Sequence, residues 1–549
     1  MGKKSVLVLF VLVCAIFSGC SKKKSTSPTS GGITGEDTWT VIGYFDGNNN
    51  LDYMLNGSSY TIADVQEMEA VGSTDKMKII VALGAMKTGG NVRYYYVEKK
   101  SGELPDSISS RVLVNLGTKD MSDQRTLQDF LSYVKSNYPA KHYVLIIDDH
   151  GSGWRGACVD DQNGSGRIMS VTNMKNAIAS TLGKVDLLVF HACLMAQVEV
   201  AYEFKDCADY LLGSEFTLPM ESILGSAEWL DTLRKNPSIA PVELSRRIVQ
   251  AVYNAAQRKG KRTHFAAIDL KKVGILGANI GHFGNHLVTE SGDHWGEVKD
   301  AWGRTHFTDY DDPAFVDLRE FANNIRNTSI APNLANNIII RAYADTIIAN
   351  INDAVVMTMT NVAGLTRGGL TIHFPSNLEQ FDSTNYCHLS FRATNWHAFL
   401  SQFIRQTGTG GGGGGGGNNQ VVISGIVFWP GHALANTVAF LDTSHSDEIH
   451  GILPTPVNPS TGAYQISFSL SGTLEAFIEA WQDANGNNIM DYGDGIGFYD
   501  ANGNAAWDDM LRLDPGTVIN NANITLMEIG PGFQFTSARN IDSRFFFIK

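Results

Sequence analysis

The sequence predicts an α/β fold, a parallel or mixed sheet between layers of helices, followed by a small all-β sandwich domain. Three observations carry this. Two nearly continuous apolar runs, 142–147 and 185–190, bracket a polar, Gly-rich loop and a helical pattern at 171–182. Short β-branched runs of that kind are strands buried on both faces, as between helix layers. Strand candidates then alternate with helical periods from residue 37 to about 406, and beyond an unbroken glycine run at 410–417 the apolar period changes to two.

At 549 residues the chain is too long for one ordinary domain. Hydrophobic content of 43% and charged content of 18% are those of a globular protein, and a net charge of −13 argues against a nucleic-acid partner. Lys3 and Lys4 precede an apolar run at 6–17, followed by Ser18-Gly19-Cys20. That run is too short for a membrane span of ~20 residues but has the form of an export signal. Residues 1–20 therefore read as a signal peptide, and 21–36, rich in Ser, Thr and Lys, as a flexible tether. Of six cysteines, Cys14 would leave with the signal, and the remaining usage is too sparse for a disulfide framework.

In the first domain, 37–406, strands are predicted at 39–44, 77–83, 93–97, 111–115, 142–147, 185–190, 263–269 and 368–374. Helices are predicted at 61–71, 126–136, 171–182, 241–259 and 396–404. Residues 335–353, rich in Ile, Asn and Ala, fit neither period cleanly. The Asp46-Gly47-Asn48-Asn49-Asn50 stretch reads as an Asx-rich turn needing no metal. Residues 407–419 form a glycine-rich linker, 420–530 the β-sandwich of about seven strands, and 531–549 a tail.

The strand–helix–strand unit puts His150 and Cys193 together at the carboxyl edge of the sheet, where open α/β folds keep their sites. A cysteine attacks as thiolate. A helical spacing of Leu194, Val198, Ala201 and Tyr202 sets Cys193 at a predicted helix amino terminus, whose free N–H groups favour negative charge. His150 is the candidate general base, and the backbone N–H groups of Gly151 and Cys193 are candidate oxyanion donors. The alternative is that Cys193 is a small buried hydrophobe and His150 an ordinary loop residue.

The segment resembles the clostripain family of cysteine peptidases, relatives of the caspases and gingipains. The residues that carry this are His150-Gly151-Ser152-Gly153-Trp154, Ala192-Cys193-Leu194-Met195-Ala196 with Glu199, and Ala208-Asp209-Tyr210 leading to Ser214-Glu215. Trp39 to Ile42, the Asp46–Leu51 turn, Glu67-Met68-Glu69 and residues 126–131 add to it. The resemblance implies a caspase-like α/β/α sandwich with a His150–Cys193 dyad acting on a peptide or protein substrate, with no cofactor for the chemistry. Separately, the Ser18-Gly19-Cys20 ending resembles a bacterial lipoprotein signal, which implies Cys20 acylated and the protein anchored in a bacterial envelope membrane, facing the periplasm or the exterior.

One position departs from the family. An aspartate usually stands two residues before the nucleophile and is associated with preference for Arg or Lys; this chain has His191. A histidine in that specificity pocket does not reward a cation as a carboxylate does. Glu215 and Glu221 are the candidates to supply the charge. In the second domain Asp483, Asn485, Asn487, Asp491 and Asp494 resemble the start of an EF-hand-type loop, a candidate calcium site, although glycine sits fourth rather than sixth. The readings that follow are an exported, lipid-anchored endopeptidase or, from a different class, a catalytically inactive peptidase-like binding protein or adhesin.

Overall fold

The computed structural model describes residues 38–52, 59–100, 107–164, 166–219, 221–305, 312–377, 380–407, 420–442, 451–470, 473–484, 493–501 and 510–529. The predicted signal, the tether, the glycine run and the tail lie outside them.

Nine strands make the main sheet: β1 (Trp39–Gly47), β2 (Met77–Ala85), β3 (Asn91–Tyr96), β4 (Arg111–Thr118), β5 (His142–Asp148), β6 (Val185–His191), β7 (Ala208–Gly213), β8 (His264–Asp269) and β9 (Val355–Thr360). Their spatial order is β9-β8-β7-β6-β5-β1-β2-β3-β4. The five in the middle, β7-β6-β5-β1-β2, are parallel, and the outer pairs on each side are antiparallel. The middle strands are apolar on both faces because both faces are covered. Along β1, Ile42 and Tyr44 enter one core while Trp39, Val41 and Phe45 enter the other.

On the second of these faces lie α1 (Tyr60–Glu69), whose Ile62, Val65 and Met68 are buried there, and two later helices, Ser226–Lys235 and Pro241–Arg258. The first face carries α2 (Gln124–Asn137), α3 (Val171–Ser180), α4 (Val198–Phe204) and the long helix Leu270–Glu290. This is the α/β/α sandwich. Caps agree with the sequence: Ser59, Asp123 and Ser170 side chains accept from backbone N–H groups in the first turns of α1, α2 and α3.

Two segments differ from expectation. The predicted late strand 368–374 shrinks to Thr371–His373, which pairs antiparallel with Phe315–Asp317 outside the main sheet. The edge of the sheet is instead closed by β9, preceded by the helix Ile338–Ala354 that occupies the ambiguous 335–353. β9 is half-buried throughout and alternates Val and Met with Thr, so it carries no continuous apolar run.

The C-terminal residues form two sheets. Gln420–Phe428 pairs antiparallel with Ala463–Ser469, and Thr437–Asp442 lies between Gly451–Pro456 and Leu474–Gln482. Val421, Ile423, Ile466, Ala439, Leu441 and Ile478 share one core. Ten strands are present among the described residues where about seven were expected. The surplus is in two- and three-residue strands such as Val518–Ile519 and Ile524–Thr525.

Cys158, Cys193, Cys207 and Cys387 are free thiols. Phe190 of β6 is fully buried against Phe204 of α4, ring centroids 5.7 Å apart. Phe190→Ala is expected to cost about 3–5 kcal/mol, read as a lower denaturant midpoint for the α/β domain.

Candidate active site

β5 and β6 run side by side in parallel register, Asp148 opposite His191. His150 and Cys193 each follow two residues later, at the carboxyl ends of their strands. The two loops touch through backbone. A β-carbon placed on Gly151 would lie 2.3 Å from the Cys193 carbonyl oxygen and 3.0 Å from its nitrogen. Only glycine lets the His150 loop lie this close to Cys193. Gly153, at φ +60°, turns the loop inward, and the Trp154 N–H donates to Gln197 Oε1 at 2.7 Å.

The helix expected to begin at Cys193 begins later. α4 starts at Val198 and is seven residues long, so no helix amino terminus faces the thiol. The intervening chain turns through Leu194 in the left-handed region, φ 67°. The Leu194 and Ala196 N–H groups donate to the carbonyls of Phe216 and Ser214, at 3.4 and 2.8 Å. Those N–H groups tie the turn to the segment after β7, and a residue in the left-handed region is incompatible with helix at this point. Leu194 thus holds a conformation that costs a branched residue of order 1–3 kcal/mol, kept by its burial.

The Leu218 N–H lies 3.3 Å from Cys193 Sγ. Burial pushes the Cys193 thiol up, and the Leu218 N–H and then Arg262 partly offset this. Burial pushes the His150 imidazole below its ordinary 6.5, with Asp161 opposing. The resting pair is therefore neutral thiol and neutral imidazole. His150 Nε2 lies 2.5 Å from Asn50 Oδ1. An amide oxygen accepts only, so Nε2 carries the proton and Nδ1 is the basic nitrogen. Behind the loop, buried Asp149 accepts from Asn49 Nδ2 at 2.7 Å and from the Val159 N–H at 2.5 Å. Asn50 and Asn49 come from the Asx-rich turn after β1.

His150 and Cys193 line one cavity of about 50 Å³ together with Tyr60, Asp64, Asp148 and His191. His191 is 8% exposed; its Nδ1 lies 2.8 Å from Asp148 Oδ1 and 3.7 Å from Asp64 Oδ2. Burial acts to lower the His191 pKa, but Asp148 and then Asp64 outweigh it and hold the imidazole up to about 9. It is an imidazolium at neutral pH, paired with carboxylates rather than with the thiol. Ser222 Oγ donates to Asp64 Oδ1 at 2.5 Å. Burial, and then Asp148, hold Asp64 well above the usual carboxylate range.

Glu215 and Glu221 do not supply the pocket's charge. Glu215 is buried elsewhere, 3.8 Å from Arg367 Nη1 and 3.5 Å from His264 Nε2, and accepts from the Gly369 N–H. Glu221 pairs with Lys261. Neither lines the cavity. The acidic residues that do are Asp64, Asp148 and Asp149, none of which the sequence reading names for the pocket. The signal was the in-register pairing of β5 and β6, which makes residue 148 the neighbour of residue 191. Of the candidate calcium ligands, Asn485, Asn487 and Asp491 lie outside the described residues. Asp483 is buried, and Asp494 accepts from Trp481 Nε1 at 3.0 Å and the Ala484 N–H at 2.9 Å.

Residues 43–403 match the profile of the clostripain family. Over 195 residues the chain is 29% identical to clostripain of Hathewaya histolytica, covering 30% of this chain and 36% of that protein. The match thus spans about a third of the relative's length. Among solved structures, a secreted C11 cysteine protease from Bacteroides thetaiotaomicron in complex with an irreversible peptide inhibitor aligns with a TM-score of 0.50 at 18% identity. It covers 66% of this chain and 99% of that one, a likeness of fold. An inactive zymogen C11 protease from Parabacteroides distasonis aligns at 0.45 and 17% identity, over 65% and 97% of the respective chains.

The contact between the two loops yields a direct expectation. Gly151→Ala must drive the His150 loop away from Cys193, and any activity of the wild-type site should fall roughly a hundredfold or more. Far-UV circular dichroism would stay unchanged while kcat/KM for a peptide substrate drops.

Proposed function

The chain belongs to the clostripain family of cysteine peptidases, and on that premise we propose that it is an endopeptidase with Cys193 as nucleophile and His150 as base. The observation that carries this reading is the backbone contact between Gly151 and Cys193, which brings the two chemical groups to one cavity. His150 takes the thiol proton as Sγ attacks the scissile carbonyl carbon. The oxyanion is stabilised by the backbone N–H groups of Cys193 and Gly151. As the C–N bond breaks, His150 returns the proton to the leaving amine, leaving a thioester. Water, deprotonated by the same imidazole, then hydrolyses the thioester to the carboxylic acid and the free thiol. Asn50 positions the base by fixing its tautomer.

We further propose that preference for Arg or Lys survives the exchange of aspartate for His191. The carboxylate has moved one strand over, to Asp148, and Asp64 adds a second. His191 offsets the Asp148 charge, and Asp64, whose carboxyl burial holds up, supplies negative charge on losing its proton as the cation enters, so the preference is weaker than that of an all-carboxylate pocket. Export, a lipid anchor at Cys20 and an envelope location form part of the same reading, on the strength of the amino-terminal sequence. Calcium binding through Asp483, Asn485, Asn487, Asp491 and Asp494 is proposed for the C-terminal domain.

A mixed peptide library incubated with the protein is expected to be cut after Arg or Lys, and Cys193→Ala to abolish cutting. Asp64→Asn should lower the arginine-over-citrulline ratio of kcat/KM roughly tenfold, about 1.4 kcal/mol; an unchanged ratio would remove the basic-specificity reading. Absence of any cutting by well-folded protein would favour the inactive binding protein. Titration calorimetry with calcium should give a saturable isotherm that Asp491→Ala weakens, and a flat trace would end the calcium claim.

A further inference from the structure

We propose that Asp64, Asp148 and His191 form a binding site for a divalent transition ion of the zinc class in the wall of the active-site cavity. One ligand atom from each of the three can be chosen so that all lie within 4.8 Å of one another. The three come from different rigid elements: Asp64 from α1, Asp148 from the end of β5 and His191 from the end of β6. All are buried, at 1%, 4% and 8% exposure. Asp148 Oδ2 and His191 Nε2 are buried polar atoms without a hydrogen-bond partner. Such atoms are costly to bury, and a cation beside Asp148 would satisfy the carboxylate oxygen.

The donor set selects the ion. Zinc is held at ~2.0–2.2 Å by histidine nitrogen and carboxylate oxygen, so neighbouring ligands of a tetrahedral site stand about 3.3 Å apart. The distances from His191 Nδ1 to Asp148 and Asp64, 2.8 and 3.7 Å, bracket that value. Calcium asks for six to eight oxygens, and a nitrogen with two carboxylates does not suit it. The hydrogen bond from Ser222 to Asp64 is the outer-shell support such sites use. Ligation releases to solvent the proton on His191 Nδ1 and the proton that Asp64 carries when neutral, and puts a metal–nitrogen and a metal–oxygen bond in their place. Two carboxylates and one divalent ion then balance in charge.

Three protein ligands leave a fourth position for water or another group. The cavity, at about 50 Å³, has room for an ion and its water, and its wall is the one proposed to receive a cationic side chain. The ion therefore competes with a cationic substrate side chain for Asp64 and Asp148. That inhibitory consequence rests on the peptidase reading, whereas the metal site does not.

The test uses the full chain with Cys193→Ala, which removes the thiol as a rival ligand. Titration calorimetry with zinc is expected to show one tight site in this variant, weakened roughly tenfold or more by His191→Gln or by Asp64→Asn. No binding in Cys193→Ala, or binding unchanged by His191→Gln, would overturn the proposal. Should the His191 variant fail to fold, Co²⁺ bound to Cys193→Ala decides. A tetrahedral d–d spectrum without thiolate charge transfer supports the site, and a thiolate band, from Cys158, Cys207 or Cys387, overturns it. Zinc binding without peptidase activity in the wild-type chain would leave the site standing and count against the enzyme alone.

Discussion

The parallel register of β5 against β6 sets the positions of everything at the site. Asp148 faces His191 across one backbone step, and the next two residues on each strand deliver the imidazole and the thiol. A slip of one residue in that pairing would turn Asp148 and His191 away from each other and separate the two loops. The register is held because both faces of both strands are buried, with Leu145, Ile147, Leu188 and Phe190 in one core and Val144, Ile146, Leu187 and Val189 in the other. Two cores that interlock from opposite sides leave one alignment that satisfies both.

That same pairing decides the pocket's electrostatics. A buried imidazolium is tolerated only with a counter-charge close by, and His191 has two. The arrangement neutralises part of the negative field that a cation in the cavity would feel. His191 on its own puts basic specificity in doubt, and its pairing with Asp148 shows that carboxyl groups stand in the same cavity wall.

Much of the fold was legible because the middle strands are read by continuous apolar runs and the helices by their period. β9 escaped because a half-buried edge strand of Val, Met and Thr offers no such run, and its partner β8 lies about ninety residues earlier. At the site, His150, Gly151 and Cys193 were legible from motif order. The helix supposed to start at Cys193 was misread because Leu194, Val198, Ala201 and Tyr202 fit a helical period. What breaks that pattern is Leu194 in the left-handed region, in a turn tied by its own and the Ala196 N–H groups to carbonyls beyond β7. Glu215 is a candidate that the sequence does not place, because its surroundings, Arg367 and His264, come from distant segments. Such contacts are set by tertiary packing, and no local period announces them.

The four free thiols carry a practical consequence. Cys158 and Cys207 are buried, and Cys387 is held in a setting whose burial pushes its thiol up to about 12. None of the described elements is stapled by a covalent cross-link. Among the described residues the thiol that opens onto the cavity is Cys193, so an added oxidant would reach it ahead of the buried Cys158 and Cys207.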